Sequence, residues 1–361
     1  MKTKISLGFA LAVLGSTALA AVVAVASPAK SPPAGAGFEA IYLVSNHPGL
    51  AANYDPDLVN AWGISHAPGS PLWVSDNGTN KSTLYDRKTG QKVPLTVDIR
   101  HGGAPTGNVF VPQKDDGDVD FPIRKNGVSG PSIFLFVTEA GTIQGWNPNV
   151  DLTHAVLAVD RSAQNSVFKG VALGGANDRL FAADFSNNEV EVFDDRFHQI
   201  NAFTDTSLPK RFAPFNVALI NGKLYVAFAR RERGGTDEVD RRGLGYIDVF
   251  DLAGRLQQHL ISNGPLDAPW GMTIAPQGFG AFSGALLVGN FGNGRINAFD
   301  PNTGEFRGTL SHSNGNAIKI DGLWGLDSGP DGNVTFAAGP NDESDGLVGL
   351  IEPASPSVAS R

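Results

Sequence analysis

A two-part signature recurs six times along this chain, and self-similarity at a period near fifty residues is the mark of a repeat architecture. One part is an apolar, usually aromatic residue followed by an acid or amide. It appears as Tyr85-Asp86, Trp146-Asn147, Phe193-Asp194, Phe250-Asp251, Phe299-Asp300 and Ile351-Glu352, in steps of 47 to 61 residues. The other part precedes it and centres on a Gly or Asn at Gly63, Gly107, Gly170, Asn216, Gly271 and Gly325. Between the two lies a short β-rich run, such as Leu72-Trp73-Val74, Leu180-Phe181-Ala182 or Leu286-Leu287-Val288, which reads as a strand buried on both faces.

Each unit therefore predicts four strands: an inner strand opening on the Gly, the apolar second strand, a third strand ending in the aromatic-acid pair, and a polar outer strand. Six such units make an all-β, six-bladed β-propeller. A Gly at the head of each inner strand suits a place where six backbones crowd round one axis. The last unit stops after three strands near Glu352, while an orphan strand, Glu39 to Ser45, stands before the first unit. The N-terminal strand is thus expected to complete the last blade and close the ring, leaving no long free edge. No helical period is sustained over three turns.

Composition narrows the setting. Lys2 and Lys4, an apolar stretch from Ile5 and the small-residue triplet Ala24-Val25-Ala26 form a Sec-type signal peptide pattern over residues 1–26, so the mature protein is expected to be exported, periplasmic or extracellular, with no membrane anchor once cleaved. The chain has no cysteine, which removes disulfides, thiolate metal sites and a cysteine nucleophile. A net charge of -8 without a long basic run argues against nucleic acid as a partner. Residues 27–37 and 354–361, rich in Pro, Ala, Gly and Ser, read as disordered linker and tail around a propeller at 38–353.

In this strand order the loops entering the inner strands and the turns between second and third strands open on one face, where ligands are expected. Those turns supply Asp76-Asn77, Glu139, Asp184, the charged segment Arg230 to Arg242, Asn290 and Asn341-Asp342, so five of six blades offer an acid or amide from a short turn. Asp76, Glu139 and Asp184 follow the second strand in three consecutive blades and form a tentative oxygen-ligand set for Ca²⁺ or another divalent cation. The same residue types also satisfy ordinary β-turns. Trp62, Trp270 and Trp324 stand beside the Gly signature and are candidates either to stack on a ligand or to pack the interior. Of seven scattered histidines, His47 and His101 lie in loops leading to inner strands and are weak candidates for proton transfer. The acid-rich Lys114 to Asp120 lacks the Gly and the distal Glu of a calcium loop and reads as a solvated insertion. Arg230 to Arg242 is a lid, a partner-binding loop or a mobile hairpin tip.

The runs YLVSNHPGLAANYDPDLVNAWGI, Tyr42 to Ile64, and LWVSDNGTNKSTLYD, Leu72 to Asp86, resemble a family of uncharacterised exported bacterial six-bladed propellers within the NHL-like and senescence-marker-like group. The resemblance implies the fold and export and assigns no activity. Two functions follow as expectations: a monomeric binding propeller that takes a protein, glycan or small molecule at the rim of its axial channel, or a divalent-metal-assisted hydrolase, lactonase or lyase using an acidic funnel.

Overall fold

The computed structural model describes residues 37–114, 119–175, 178–329 and 331–354. The segments read as signal peptide, linker and tail lie outside them, apart from Gly37 and Ala354, and so does the middle of the Lys114 to Asp120 insertion. Six sheets surround one axis, as the repeat predicts. The inner strands are Ala61–Ser65, Pro105–Phe110, Phe168–Gly174, Phe212–Ile220, Pro269–Ile274 and Leu323–Ser328. Each pairs antiparallel with a second strand that is almost wholly buried, and in the first five blades the third and outer strands follow in sequence order. A hairpin of Pro122–Lys125 and Val128–Pro131, not anticipated from the sequence, is inserted after the second inner strand.

The sixth sheet closes the ring. Its outer strand is Phe38–Ser45, paired antiparallel with Leu347–Pro353 in a register running from Phe38 opposite Pro353 to Ser45 opposite Leu347. A two-residue strand, Asn53–Tyr54, adds in parallel outside it.

The two halves of the signature have separate physical causes. Each aromatic of the aromatic-acid pair is buried against the preceding blade. Phe193 shares a buried cluster with Leu135 and Ile143, Phe250 with Phe181 and Val192, and Phe299 with Tyr225 and Ile247. The core is thus a set of wedges between neighbouring sheets. The acid caps the turn that follows, its Oδ1 accepting from two backbone N–H groups: Arg196 and His198 at Asp194, Ala253 and Arg255 at Asp251, Asn302 and Thr303 at Asp300. Such Asx turns specify the hairpin to the outer strand.

The glycines form a ring of contacts about the axis. A Cβ on Gly63 would sit 2.5 Å from Thr106 O, one on Gly107 2.9 Å from Val171 N, one on Gly271 2.5 Å from Trp324 O, and one on Gly325 2.5 Å from Trp62 O. The fourth blade has Asn216 instead, whose Nδ2 donates to Trp270 O of the adjacent fifth blade at 2.8 Å.

Candidate functional site

The residue just before each ring position is buried: Trp62, Thr106, Lys169, Phe215, Trp270 and Trp324. Three tryptophans and a phenylalanine pack together there with Phe185 and Phe291. Trp62 stacks on Trp324 with centroids 3.5 Å apart, and Trp270 meets both edge-on at 6.1 and 5.9 Å. This aromatic floor stands between two axial cavities. Below it a channel of about 360 Å³ is lined by Gly63, Gly107, Gly271, Gly325, Asn216 and Trp270. Above it a cup of about 340 Å³ is lined by Asn60, Trp62, Asn77, Glu139, Lys169, Asp237, Glu238, Phe291, Trp324 and Glu343.

All six blades contribute to the cup, and a hydrogen-bonded belt runs round half of it. Asn60, held at φ 49 in the left-handed conformation that Asn tolerates, enters the first blade. Its Nδ2 donates to Glu343 Oε1 at 3.0 Å and to Asn77 Oδ1 at 3.2 Å, and its Oδ1 accepts from Trp324 Nε1 at 3.1 Å. Asn77 Nδ2 donates to Glu139 Oε2 at 3.0 Å, and Lys169 Nζ donates to Glu139 Oε1 at 2.6 Å. The Lys169 side chain is 3% exposed, and its ammonium lies 5.0 Å from the Trp62 ring centroid, a cation–π distance. Trp270 Nε1 fixes the Lys169 backbone by donating to its carbonyl at 2.9 Å.

The fourth blade supplies Asp237 and Glu238 from the Arg230 to Arg242 segment, which folds back on itself through an Arg231–Glu238 bridge. Glu232 N donates to Asp237 O at 2.8 Å, Val239 N donates to Arg230 O at 2.7 Å, and Arg231 Nη1 donates to Phe185 O at 3.0 Å, tying the segment to the third blade. Lining carboxylates outnumber the one lysine, and burial together with this imbalance shifts their proton affinities. Burial pushes Glu238 up to about 8, opposed by Lys169 and reinforced by Asp240 and Glu343. Burial likewise raises Glu343. Burial alone would depress Lys169, but Glu139, Glu238 and Asp237 outweigh it and hold the ammonium charged.

Of the rim residues expected from the sequence, Asn77, Glu139, Trp62 and Trp324 line this cup. Trp270 lies on the lower channel instead. Asn290 is fully buried with its amide donating to Pro265 O at 2.9 Å, and Asn341 is an exposed turn residue whose Nδ2 donates to Ser344 Oγ at 2.8 Å. The exposed His47 and His101 do not line the cup.

The expected cation set does not assemble. Asp184 caps its own turn, Oδ1 accepting from Val167 N and Asn187 N, both at 3.1 Å, while Asp76 is buried inside its blade and Glu139 is paired with Lys169. The physical reason is the pleat: Asp76 and Asp184 still belong to their second strands and turn their side chains into the sheet packing, whereas Glu139 lies one residue past its strand. Lys169, Asn60, Phe291 and Glu343 were missed by sequence reasoning, and Asp237 and Glu238 were indicated only as part of the Arg230 to Arg242 segment. One signal was present: at the position before the ring residue, Lys169 is the only charged residue among four aromatics and a threonine.

Fold and cup together define a six-bladed β-propeller with an acidic, aromatic-floored axial site on the face where the inner strands begin. The chain belongs to a family of proteins represented by two uncharacterised proteins of Acanthamoeba polyphaga mimivirus. One is 35% identical over 327 residues, covering 86% of this chain and 84% of its own, and the other is 36% identical over 325 residues, covering 86% and 79%. No family model matches the chain. Among solved structures it is similar in fold to a protein of unknown function from Bacteroides thetaiotaomicron, with 12% identity, a TM-score of 0.57 and coverage of 88% of this chain and 76% of that one. It is also similar in fold to virginiamycin B lyase from Staphylococcus aureus, with 11% identity, a TM-score of 0.51 and coverage of 88% and 99%.

Proposed function

We propose that the protein is an exported, monomeric binding propeller whose axial cup takes a small ligand with a cationic head. Export rests on the N-terminal signal pattern. The observation that carries the ligand class is the charge deficit above the aromatic floor: Glu139, Asp237, Glu238 and Glu343 face one ammonium, Lys169, already held by Glu139. A ligand ammonium supplies the missing charge to Glu238 and Glu343, and the ring of Phe291 offers it a π-face. A neutral sugar would find hydrogen-bonding partners there but would leave the imbalance in place.

Because Glu238 titrates at about 8, it carries its proton at pH 7, and a cation bound against it expels that proton. Calorimetric titration of the full protein with spermidine, choline and glucosamine at pH 7, in two buffers of different ionisation enthalpy, measures both affinity and proton release. The reading expects one cationic probe to bind with proton release that Glu238→Gln abolishes. Binding of glucose as strong as that of glucosamine, or no heat from any cation, would overturn it.

A further inference from the structure

We propose that Asp205, Asp248 and His259, at the outer seam between the third and fourth blades, form a binding site for a divalent transition metal of the zinc class. Among the described residues they are the one group of three His, Asp or Glu whose ligand atoms all lie within 4.8 Å of one another. The site is separate from the axial cup and independent of its function.

Three elements assemble it. Asp248 lies in the third strand of the fourth blade, directly opposite His259 of the outer strand Leu256–Ser262, and Asp205 comes from the loop that enters that blade. His259 Nδ1 is 3.2 Å from Asp248 Oδ1 and 3.3 Å from Asp205 Oδ2. Ligand atoms about 2.0–2.2 Å from a tetrahedral metal are separated by about 3.3–3.6 Å, so these gaps match two edges of such a site.

Two further observations favour a cation here. Asp248 Oδ2 is buried with no hydrogen-bond partner, on a side chain that is 0% exposed, and Asp205 Oδ2, on a side chain that is 3% exposed, is met by His259 Nδ1 alone at 3.3 Å. Asp205 directs its other oxygen to Ser207 N at 2.8 Å, which fixes its orientation. The second observation comes from the repeat. Two residues before the aromatic of each signature stand Thr83, Gln144, Glu191, Asp248, Asn297 and Gly349, so only two blades bury an acid there. In the third blade Arg161 neutralises Glu191 at 3.1 Å. In the fourth, Asp248 is met by a second carboxylate and an imidazole, a donor set of two oxygens and one nitrogen.

One imidazole with two carboxylates suits Zn²⁺ or Mn²⁺ better than Ca²⁺, which prefers oxygen alone. The His259 side chain is 48% exposed, so the remaining coordination positions are open to water. The competing arrangement is a protonated His259 bridging the two acids with no metal affinity.

The test is calorimetric titration of Zn²⁺ into the full chelator-treated protein, alongside His259→Ala, Asp248→Asn and a His47→Ala control. The site predicts one equivalent bound by wild type and by His47→Ala, with affinity reduced about 100-fold or more in the other two. Zinc K-edge absorption should show nitrogen and oxygen ligands at about 2.0–2.2 Å. His259→Ala alters only a half-exposed side chain, so it keeps the test decisive if Asp248→Asn fails to fold. No stoichiometric Zn²⁺ binding by wild type, or undiminished binding by His259→Ala, would overturn the proposal.

Discussion

Trp62 of the first blade lies flat on Trp324 of the sixth, 3.5 Å between centroids and 19° from parallel. The contact spans the seam at which the ring closes, and both rings are about 98% buried or more. Trp324→Ala removes the stack, its contact with Phe291 and the indole donor that holds Asn60. A loss of about 3–5 kcal/mol is expected, measured by urea unfolding. A loss below about 1 kcal/mol would show that the floor contributes little to closure.

Removing the closing strand should cost more than any point change. Deletion of residues 38–46 exposes the edge of Leu347–Pro353 together with the apolar face of Ile351, Phe336 and Leu347. Aggregation or a large fall in Tm is the expected outcome, followed by light scattering and calorimetry. A monomeric deletion variant with unchanged Tm would contradict the closure mechanism.

Phe193, Phe250 and Phe299 are each 1% exposed at the same place in successive blades. Alanine at any one of them is expected to destabilise by about 3–5 kcal/mol. Their separation in the ring implies that double variants add. Denaturant midpoints of single and double variants measure this directly, and strong non-additivity would indicate that the wedges are coupled round the ring.

Glu238 makes stability depend on pH in a defined direction. Its pKa is raised on folding from 4.5 to about 8, so the native state holds the proton more tightly than the unfolded chain between those values. Its contribution is fully present below pH 4.5 and is lost as pH climbs to about 8. Glu238→Gln should therefore gain about 1–3 kcal/mol over wild type at pH 8 and show little difference at pH 4.5, after allowing for solvent screening. Equal pH profiles for the two proteins would show that the carboxyl is not strained by its surroundings.

The ring and its closure were legible because their causes are local. An aromatic that must wedge into the preceding blade, an Asp that must cap a hairpin and a Gly that must admit a neighbouring backbone each leave a mark at a constant phase. The cup was only partly legible. Asn77 and Glu139 follow from strand order, but the partner of Glu139 is Lys169, from the next blade, and Glu343 reaches Asn60 from 283 positions away. Pairings of that kind depend on where loops fold back, which no period encodes. The misplaced cation set had a different origin: being near the end of a strand does not specify which side of the pleat a carboxylate takes, and Asp76 and Asp184 take the inner side.

The pairing of Phe38 with Pro353 joins the first and last strands of the ring, so the contact that removes the free edge has the longest sequence separation of any strand pair in the propeller. Closing so large a loop carries the largest entropic cost of any pairing in the fold. Until it forms, the edge of Leu347–Pro353 is open to pairing with another chain. Ring closure is therefore the step at which correct folding and edge-to-edge association compete.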